Sequence, residues 1–207
     1  MLTIVVLVSG GGTNLQALID AQRRGELEGG RICAVISSRE NAYALERARQ
    51  AGIPAFTLAR RQFDSSAAYC QALDALLEPL NPSLLVHAGF LCILDEVFCQ
   101  KYHNRMLNVH PSLIPAFCGT GMYGLKVHEA ALRYGVKVTG ATVHFVTAEP
   151  DGGPVVLQKA VNVLPDDTPE RLQKRVMEQC EHALLPRAVA LFCQNRLSVD
   201  GRKVTIL

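Results

Sequence analysis

Apolar positions in this chain follow two rhythms. Thr3–Val8 is a continuous apolar run rich in Val and Ile, the mark of a strand covered on both faces, as in a parallel sheet. Ile32–Ile36, Ile53–Leu58 and Leu84–Val86 read as further strands. Between the runs, apolar residues recur at helical spacing. Leu15, Leu18 and Ile19 mark one such face. Asn41–Ala51 reads as a second helix, ended by Gly52, and Tyr69, Leu73, Leu76 and Leu77 mark a third that Asp64 or Ser65 can cap. Asn81-Pro82 breaks the chain, Asp95 can cap a short helix, and Met106–Val109 is the next strand. Alternating strand and helix predicts an α/β fold: a doubly wound, mostly parallel, Rossmann-like sheet with right-handed crossovers. The strands ending at Val8, Val86 and Val109 then open onto one edge of that sheet.

Beyond His110 the rhythm changes. A glycine-rich loop, Phe117–Gly124, precedes a helix over Leu125–Arg133. Val138–Val146 and Pro154–Val163 are long apolar strands joined by a short polar loop, which predicts an antiparallel pair. A long helix is expected from Pro169 to about Gln194, kinked at Pro186. Arg196–Leu207 is expected to form a small hairpin around Asp200-Gly201. The whole reads as one domain over residues 1–207, with halves at 1–110 and 111–207.

Composition narrows the function classes. Of 207 residues, 49% are hydrophobic and 19% charged, which supplies a core and excludes a disordered chain. The net charge of +2, with no basic run longer than Arg60-Arg61, argues against nucleic acid as a partner. Seven cysteines without a Cys-x-x-Cys pair argue against a disulfide framework or a zinc site. The apolar start lacks a basic leader and reads as a buried strand, and no apolar stretch is long enough to span a bilayer. A cytoplasmic protein without a membrane or metal partner is expected, as monomer or homodimer.

Two stretches carry candidate chemistry. Ser9-Gly10-Gly11-Gly12-Thr13-Asn14 turns from a strand into a helix, where free N–H groups favour an anion such as phosphate. No Gly-Lys-Ser/Thr follows, so it is not a P-loop. Gly10 and Gly12 fit a dinucleotide fingerprint, but Leu15 stands where a small residue belongs. The second strand ends in Ser37-Ser38-Arg39, with no acid for a ribose diol, although Ser38 and Arg39 suit a 2′-phosphate. A phosphomonoester is the first expectation, NADP the second, and a glycine turn that binds nothing stays open. The other stretch is Leu107-Asn108-Val109-His110-Pro111-Ser112-Leu113-Ile114-Pro115. It puts an amide and an imidazole two residues apart, on one side of a strand end that Pro111 terminates. An oxyanion donor beside a proton carrier is a minimal acyl-transfer pair, with a structural histidine as the alternative.

With Ala88-Gly89-Phe90 and Thr139–Val146 through Asp151-Gly152-Gly153-Pro154 added, the chain resembles the glycinamide ribonucleotide formyltransferases over nearly its whole length. These are the folate-dependent formyltransferases of purine synthesis. The resemblance implies transfer of the formyl group of 10-formyltetrahydrofolate, a co-substrate, to the amine of glycinamide ribonucleotide. The path is direct attack through a tetrahedral oxyanion, without a metal and with His110 as general acid/base. Asn108, His110 and Asp151 would be the catalytic set. Gly12, Thr13 and Asn14 would hold the phosphate and Glu181 the sugar, although the helix carries one extra residue before Glu181. Leu91, Cys92, Ile93 and Leu94, with Asn108, Thr142 and Asp151, would hold formylfolate. The half over 1–110 would then bind phosphate and that over 111–207 folate. Cys92 and Ser66 stand where the family commonly has arginines for the folate's glutamate tail, so Arg60 and Arg61 are expected to take that task. His144, with apolar neighbours, reads as a core histidine first. His87, His103 and His182 read as structural, His128 as a support of the cleft, and Ile114-Pro115 as a candidate cis bond. Relatives of the family include formyltetrahydrofolate deformylases, whose pattern has a second histidine where Pro111 stands, and methionyl-tRNA formyltransferases, which carry a further domain and a basic surface. A non-catalytic phosphoribosyl- or NADP-binding module is the alternative from another class.

Overall fold

Five consecutive residues of the first strand, Ile4–Val8, have no exposed surface, and they alternate between two cores. Ile4, Val6 and Val8 join Leu84, Val86 and Leu107 on one side of the sheet. Val5 and Leu7 join Leu85 and Met106 on the other. Because both faces are covered, the strand has no reason to alternate apolar with polar. The structure, a computed structural model, describes all 207 residues.

The main sheet comprises β1 (Leu2–Val8), β2 (Gly30–Ser37), β3 (Ala55–Thr57), β4 (Leu84–His87), β5 (Met106–His110), β6 (Val138–Phe145) and β7 (Val155–Asn162). Their order is β3-β2-β1-β4-β5-β6-β7. The first five are parallel, and β6 and β7 are antiparallel to their neighbours. This is the expected doubly wound arrangement with an antiparallel C-terminal part. The expected terminal hairpin pairs β8 (Leu197–Asp200) with β9 (Lys203–Ile206). The strand order reverses between β1 and β4, and such a switch point leaves a crevice at the carboxyl ends of the strands.

Helices cover both faces. The helix α1 (Thr13–Arg23) packs beside α7 (His182–Cys193), while α3 (Ser66–Leu77) and α4 (Glu96–Lys101) cover the opposite core. Between them in sequence stand α2 (Tyr43–Gln50), α5 (Leu125–Tyr134) and α6 (Pro169–Val176). Of the two candidate caps, Ser65 starts α3 by accepting from Ala68 N–H at 3.1 Å, and Asp95 starts α4 by accepting from Phe98 N–H at 2.8 Å. No helix is long and apolar enough to cross a membrane.

The C-terminal helix departs from expectation. Pro186 lies inside α7, and the irregular segment comes a turn earlier, as a π turn over Met177–Glu181 between α6 and α7. A π turn absorbs one extra residue without ending the helix. Cys180 still points into the core, and Glu181 still reaches the crevice.

Candidate active site

The crevice at the sheet's carboxyl edge is a cavity of about 520 Å³. Its wall combines Gly10–Asn14 after β1, His87–Leu94 after β4, Asn108–Pro111 at the end of β5, Gly119–Gly124, the Asp151 loop, and Glu181 from the π turn. Of the residues expected at the site, Gly12, Thr13, Asn14, Leu91, Cys92, Ile93, Leu94, Asn108, His110, Asp151 and Glu181 all line this one cavity. Thr142 does not. Its hydroxyl is buried, donates to Ser112 carbonyl at 2.7 Å and accepts from Ile114 N–H at 3.1 Å and Gln158 Nε2 at 3.0 Å. Thr142 therefore clamps the turn after His110, in which Ile114-Pro115 is cis.

At the end of β5, His110 is 4% exposed and has an acceptor at each ring nitrogen. Nε2 donates to Phe117 carbonyl at 2.9 Å, and Nδ1 stands 3.4 Å from Asp151 Oδ2. Burial lowers the imidazole below its ordinary range, and the Asp151 charge opposes that shift without cancelling it. His110 is therefore neutral near pH 7, with a carboxylate placed to stabilise it once it takes a proton. Burial pushes the Asp151 carboxyl up, but His144, His110 and the Gly119 N–H at 2.8 Å together hold it below the usual range. Asp151 sits in a left-handed conformation, φ 55°, just ahead of Gly152-Gly153. A side chain on Gly153 would put its Cβ 1.8 Å from Phe145 carbonyl, so this loop folds flush against β6 only with glycine there.

The glycine loop forms the other end of the cavity. Gly12 has φ 74° and lies so near α2 that an added Cβ would be 2.6 Å from Ala44 Cβ. Arg47 of α2 holds the loop from outside, donating to Gly11 carbonyl at 2.8 Å and to Gln16 at 3.1 Å. In the cavity, Asn14 Nδ2 donates to Glu181 Oε2 at 2.7 Å, while Asn14 Oδ1 is buried without a partner. Burial raises the Glu181 carboxyl, and the Asn14 bond only partly offsets this. An acceptor left unmet inside a binding cavity is a place for a ligand hydroxyl. Ser38, considered for a 2′-phosphate, is not available for one. It is buried and hydrogen-bonded to Ser9 at 2.6 Å, and Ser9 Oγ in turn accepts from Leu91 N–H at 2.9 Å. Those bonds tie together the ends of three strands.

A side cavity of about 760 Å³ meets the first at Gly10, Gly11, Leu91 and Cys92. Arg39, Arg60 and Arg61 line it. Arg61 is ion-paired with Glu40, whereas Arg60 donates to Phe63 carbonyl at 2.6 Å and lies over the Tyr69 ring. Arg39 has no carboxylate partner. No three His, Cys, Asp or Glu side chains are grouped to hold a metal ion.

Three further histidines line the main cavity: His128, expected to support the cleft, and His87 and His144, which read from sequence as structural or core. His144 is buried, as expected of a core residue, but its Nε2 is 3.1 Å from Asn108 Nδ2 and 3.5 Å from Asp151 Oδ1. His87 is the β4 partner of Asn108, and His144 is its β6 partner, so the three form a row across adjacent strands. Strand register supplies that signal, and single-strand patterns do not carry it. Burial lowers the His87 imidazole to about 3, and burial with the nearby His110 lowers His128 to about 4.

The chain has known relatives. The family described as formyl transferase matches residues 2–189. The phosphoribosylglycinamide formyltransferase of Escherichia coli (strain K12) is 43% identical over 198 residues, covering 96% of this chain and 90% of that protein. Glycinamide ribonucleotide transformylase 1 from Symbiobacterium toebii superposes with a TM-score of 0.93 at 45% identity, covering all of this chain and 94% of that one. A formyltetrahydrofolate deformylase from Pseudomonas syringae pv. tomato superposes with a TM-score of 0.87 at 25% identity, but this chain covers only 65% of it. With most of its length matched and its site at the expected edge of the sheet, the chain belongs to the formyl transferase family.

Proposed function

We propose that the chain transfers the formyl group of 10-formyltetrahydrofolate to the amine of glycinamide ribonucleotide, a step of de novo purine synthesis. One observation carries this reading. A single cavity holds the Asn108–His110–Asp151 cluster and, along the same wall, a glycine loop beside the unmet acceptor of Asn14. The Escherichia coli and Symbiobacterium toebii relatives, matched over 90% and 94% of their length, are named as glycinamide ribonucleotide formyltransferases.

The side chains suit each step. The amine attacks the formyl carbon, and the carbonyl electrons move to oxygen. Asn108 donates to that oxyanion, a contribution of about 10²–10³ in turnover for such a donor. Neutral His110 accepts the proton of the attacking nitrogen, and Asp151 stabilises the imidazolium. The same proton then goes to the tetrahydrofolate nitrogen as its bond to carbon breaks. For Nε2 to serve, the Phe117 carbonyl must give way and the ring proton must sit on Nδ1, facing Asp151, so that Nε2 has a lone pair; this assigns the Phe117–Gly124 loop a movement on binding. Gly12, Thr13 and Asn14 take the phosphate at the start of α1. Asn14 Oδ1 and Glu181 take the ribose hydroxyls.

Leu91–Leu94 border the folate ring, and the side cavity takes the anionic glutamate tail. Arg60 serves there. Arg39 joins it in place of Arg61, whose charge is already met by Glu40. Both substrates are water-soluble small molecules, so we place the protein in the cytoplasm, as monomer or homodimer, without nucleic acid. The test is tetrahydrofolate release from 10-formyltetrahydrofolate with and without glycinamide ribonucleotide. Release that requires the ribonucleotide supports the transferase. Release without it identifies a deformylase, the reading that the Pseudomonas likeness favours. No release in either case leaves a binding module.

A further inference from the structure

His144 is buried in the cavity wall and touches two members of the proposed catalytic set. We propose that His144 is a positioning residue for formyl transfer: its ring, held by Nδ1 on the Phe145 carbonyl, fixes the Asn108 amide through Nε2 with the NH₂ end turned to the reacting oxygen. This rests on the formyl-transfer reading.

The local geometry leaves little choice. His144 pairs directly with Asn108 across the antiparallel β5–β6 ladder. On its other side the β6–β7 register shifts between Val143 and His144, a bulge of the kind that re-aims a side chain. His144 Nδ1 is 2.8 Å from Phe145 carbonyl, which can only accept, so Nδ1 carries a proton. In the neutral ring Nε2 then has a lone pair and nothing to donate. Asn108 Nδ2 is 3.1 Å from it, a good distance for an N–H donor, while Asp151 Oδ1 at 3.5 Å is at the limit. The amide is thus held by its nitrogen. Turned end for end, it would set its carbonyl oxygen against the Nε2 lone pair.

The catalytic consequence is direct. The Asn108 amide nitrogen has two hydrogens, and one is given to His144. No other protein acceptor takes the second. It remains for an oxyanion, whereas the reversed amide would turn a carbonyl dipole of the wrong sign toward the developing charge. His144 therefore acts through Asn108, in the way an imidazole in a catalytic triad is fixed by the group behind it.

Four variants test this: His144→Phe, which removes the acceptor, His144→Gln, which offers a side-chain oxygen in its place, Asn108→Ala, and the double variant Asn108→Ala/His144→Phe. We expect His144→Phe to lower kcat by about 10²-fold, comparable to losing an oxyanion donor, with KM for glycinamide ribonucleotide little changed. His144→Gln should recover much of that loss. The double variant should be no slower than Asn108→Ala alone, because one function is removed twice. A double variant slowed by the product of the two single effects, or a His144→Phe enzyme with normal kcat, overturns the proposal. Should the Phe variant fail to fold, nitrogen-15 spectra of the histidine-labelled wild type decide. A proton on Nδ1 alone supports the proposal, and a proton on Nε2 overturns it. A wild type that releases no tetrahydrofolate contradicts the formyl-transfer reading instead, and the ring's protonation still decides the contact.

Discussion

Mild acid should remove stability from this chain through two histidines in the cavity wall. His87 and His128 are 5% and 1% exposed, and burial lowers them from the ordinary imidazole value of 6.5 to about 3 and about 4. Between those values and 6.5 the unfolded chain takes up protons that the folded chain refuses. Stability is therefore full above the unfolded value and falls as the pH drops toward the folded ones. At about 1.36 kcal/mol per pH unit, moving from about pH 7.5 to about pH 5 costs about 2 kcal/mol for each ring, about 4 kcal/mol together. That is a large share of a domain stability of about 5–15 kcal/mol. Urea unfolding at the two pH values, followed by circular dichroism because the chain has no Trp, reads the difference. Carboxylates such as Asp151 also lose stability in acid, so the decisive comparison is with His128→Leu. That variant should lose about 2 kcal/mol less than wild type over the same interval. At neutral pH it should be at least as stable, because both His128 ring nitrogens are buried without partners. An acid loss in His128→Leu equal to that of wild type would refute the reasoning.

Three further perturbations address the proposed substrate contacts. Gly12→Ala forces a Cβ to within 2.6 Å of Ala44 Cβ at a left-handed φ, so the loop must move off α2. Loss of about 1.4 kcal/mol of phosphate binding would raise KM for the ribonucleotide about tenfold, and steady-state kinetics with an unchanged KM would contradict this role. Asp151→Asn removes the charge that opposes the lowering of His110. The acid limb of the kcat/KM profile should move to lower pH, and turnover should fall by about 10²-fold or more; an unchanged profile and turnover would release Asp151 from the catalytic set. Arg60→Ala/Arg61→Ala should weaken folate binding and flatten its salt dependence in titrations, with most of the effect from Arg60 because Arg61 is paired with Glu40.

Local sequence showed the fold well because a parallel sheet writes its burial into each strand. Ile4–Val8 is apolar throughout since both sides are covered, and the same logic placed β2 and β4. Asn108 and His110 were legible because one strand end carries both, and the glycine loop because its backbone geometry demands those residues. The rest of the site depends on register and on helix irregularity. His144 is 36 residues from Asn108 and meets it only through the β5–β6 pairing, so its apolar neighbours made it look like core alone. Thr142 sits in the adjacent register position, opposite His110, yet its hydroxyl faces the turn and not the cavity. Pro186 drew attention as a kink, but a π turn needs no proline, and it was this turn that set Glu181 beside Asn14. Arg39 and Arg61 show the same limit. Which arginine is free for a ligand depends on Glu40, and that pairing spans 21 residues.

The most direct test of the account is to follow the formyl carbon itself. With isotopically labelled 10-formyltetrahydrofolate and glycinamide ribonucleotide, the label should appear on the ribonucleotide amine in step with tetrahydrofolate, with little free formate. Both products should collapse together in His110→Ala while that variant still binds both substrates. Label recovered as formate in the wild type, or transfer that persists in His110→Ala, would contradict the account.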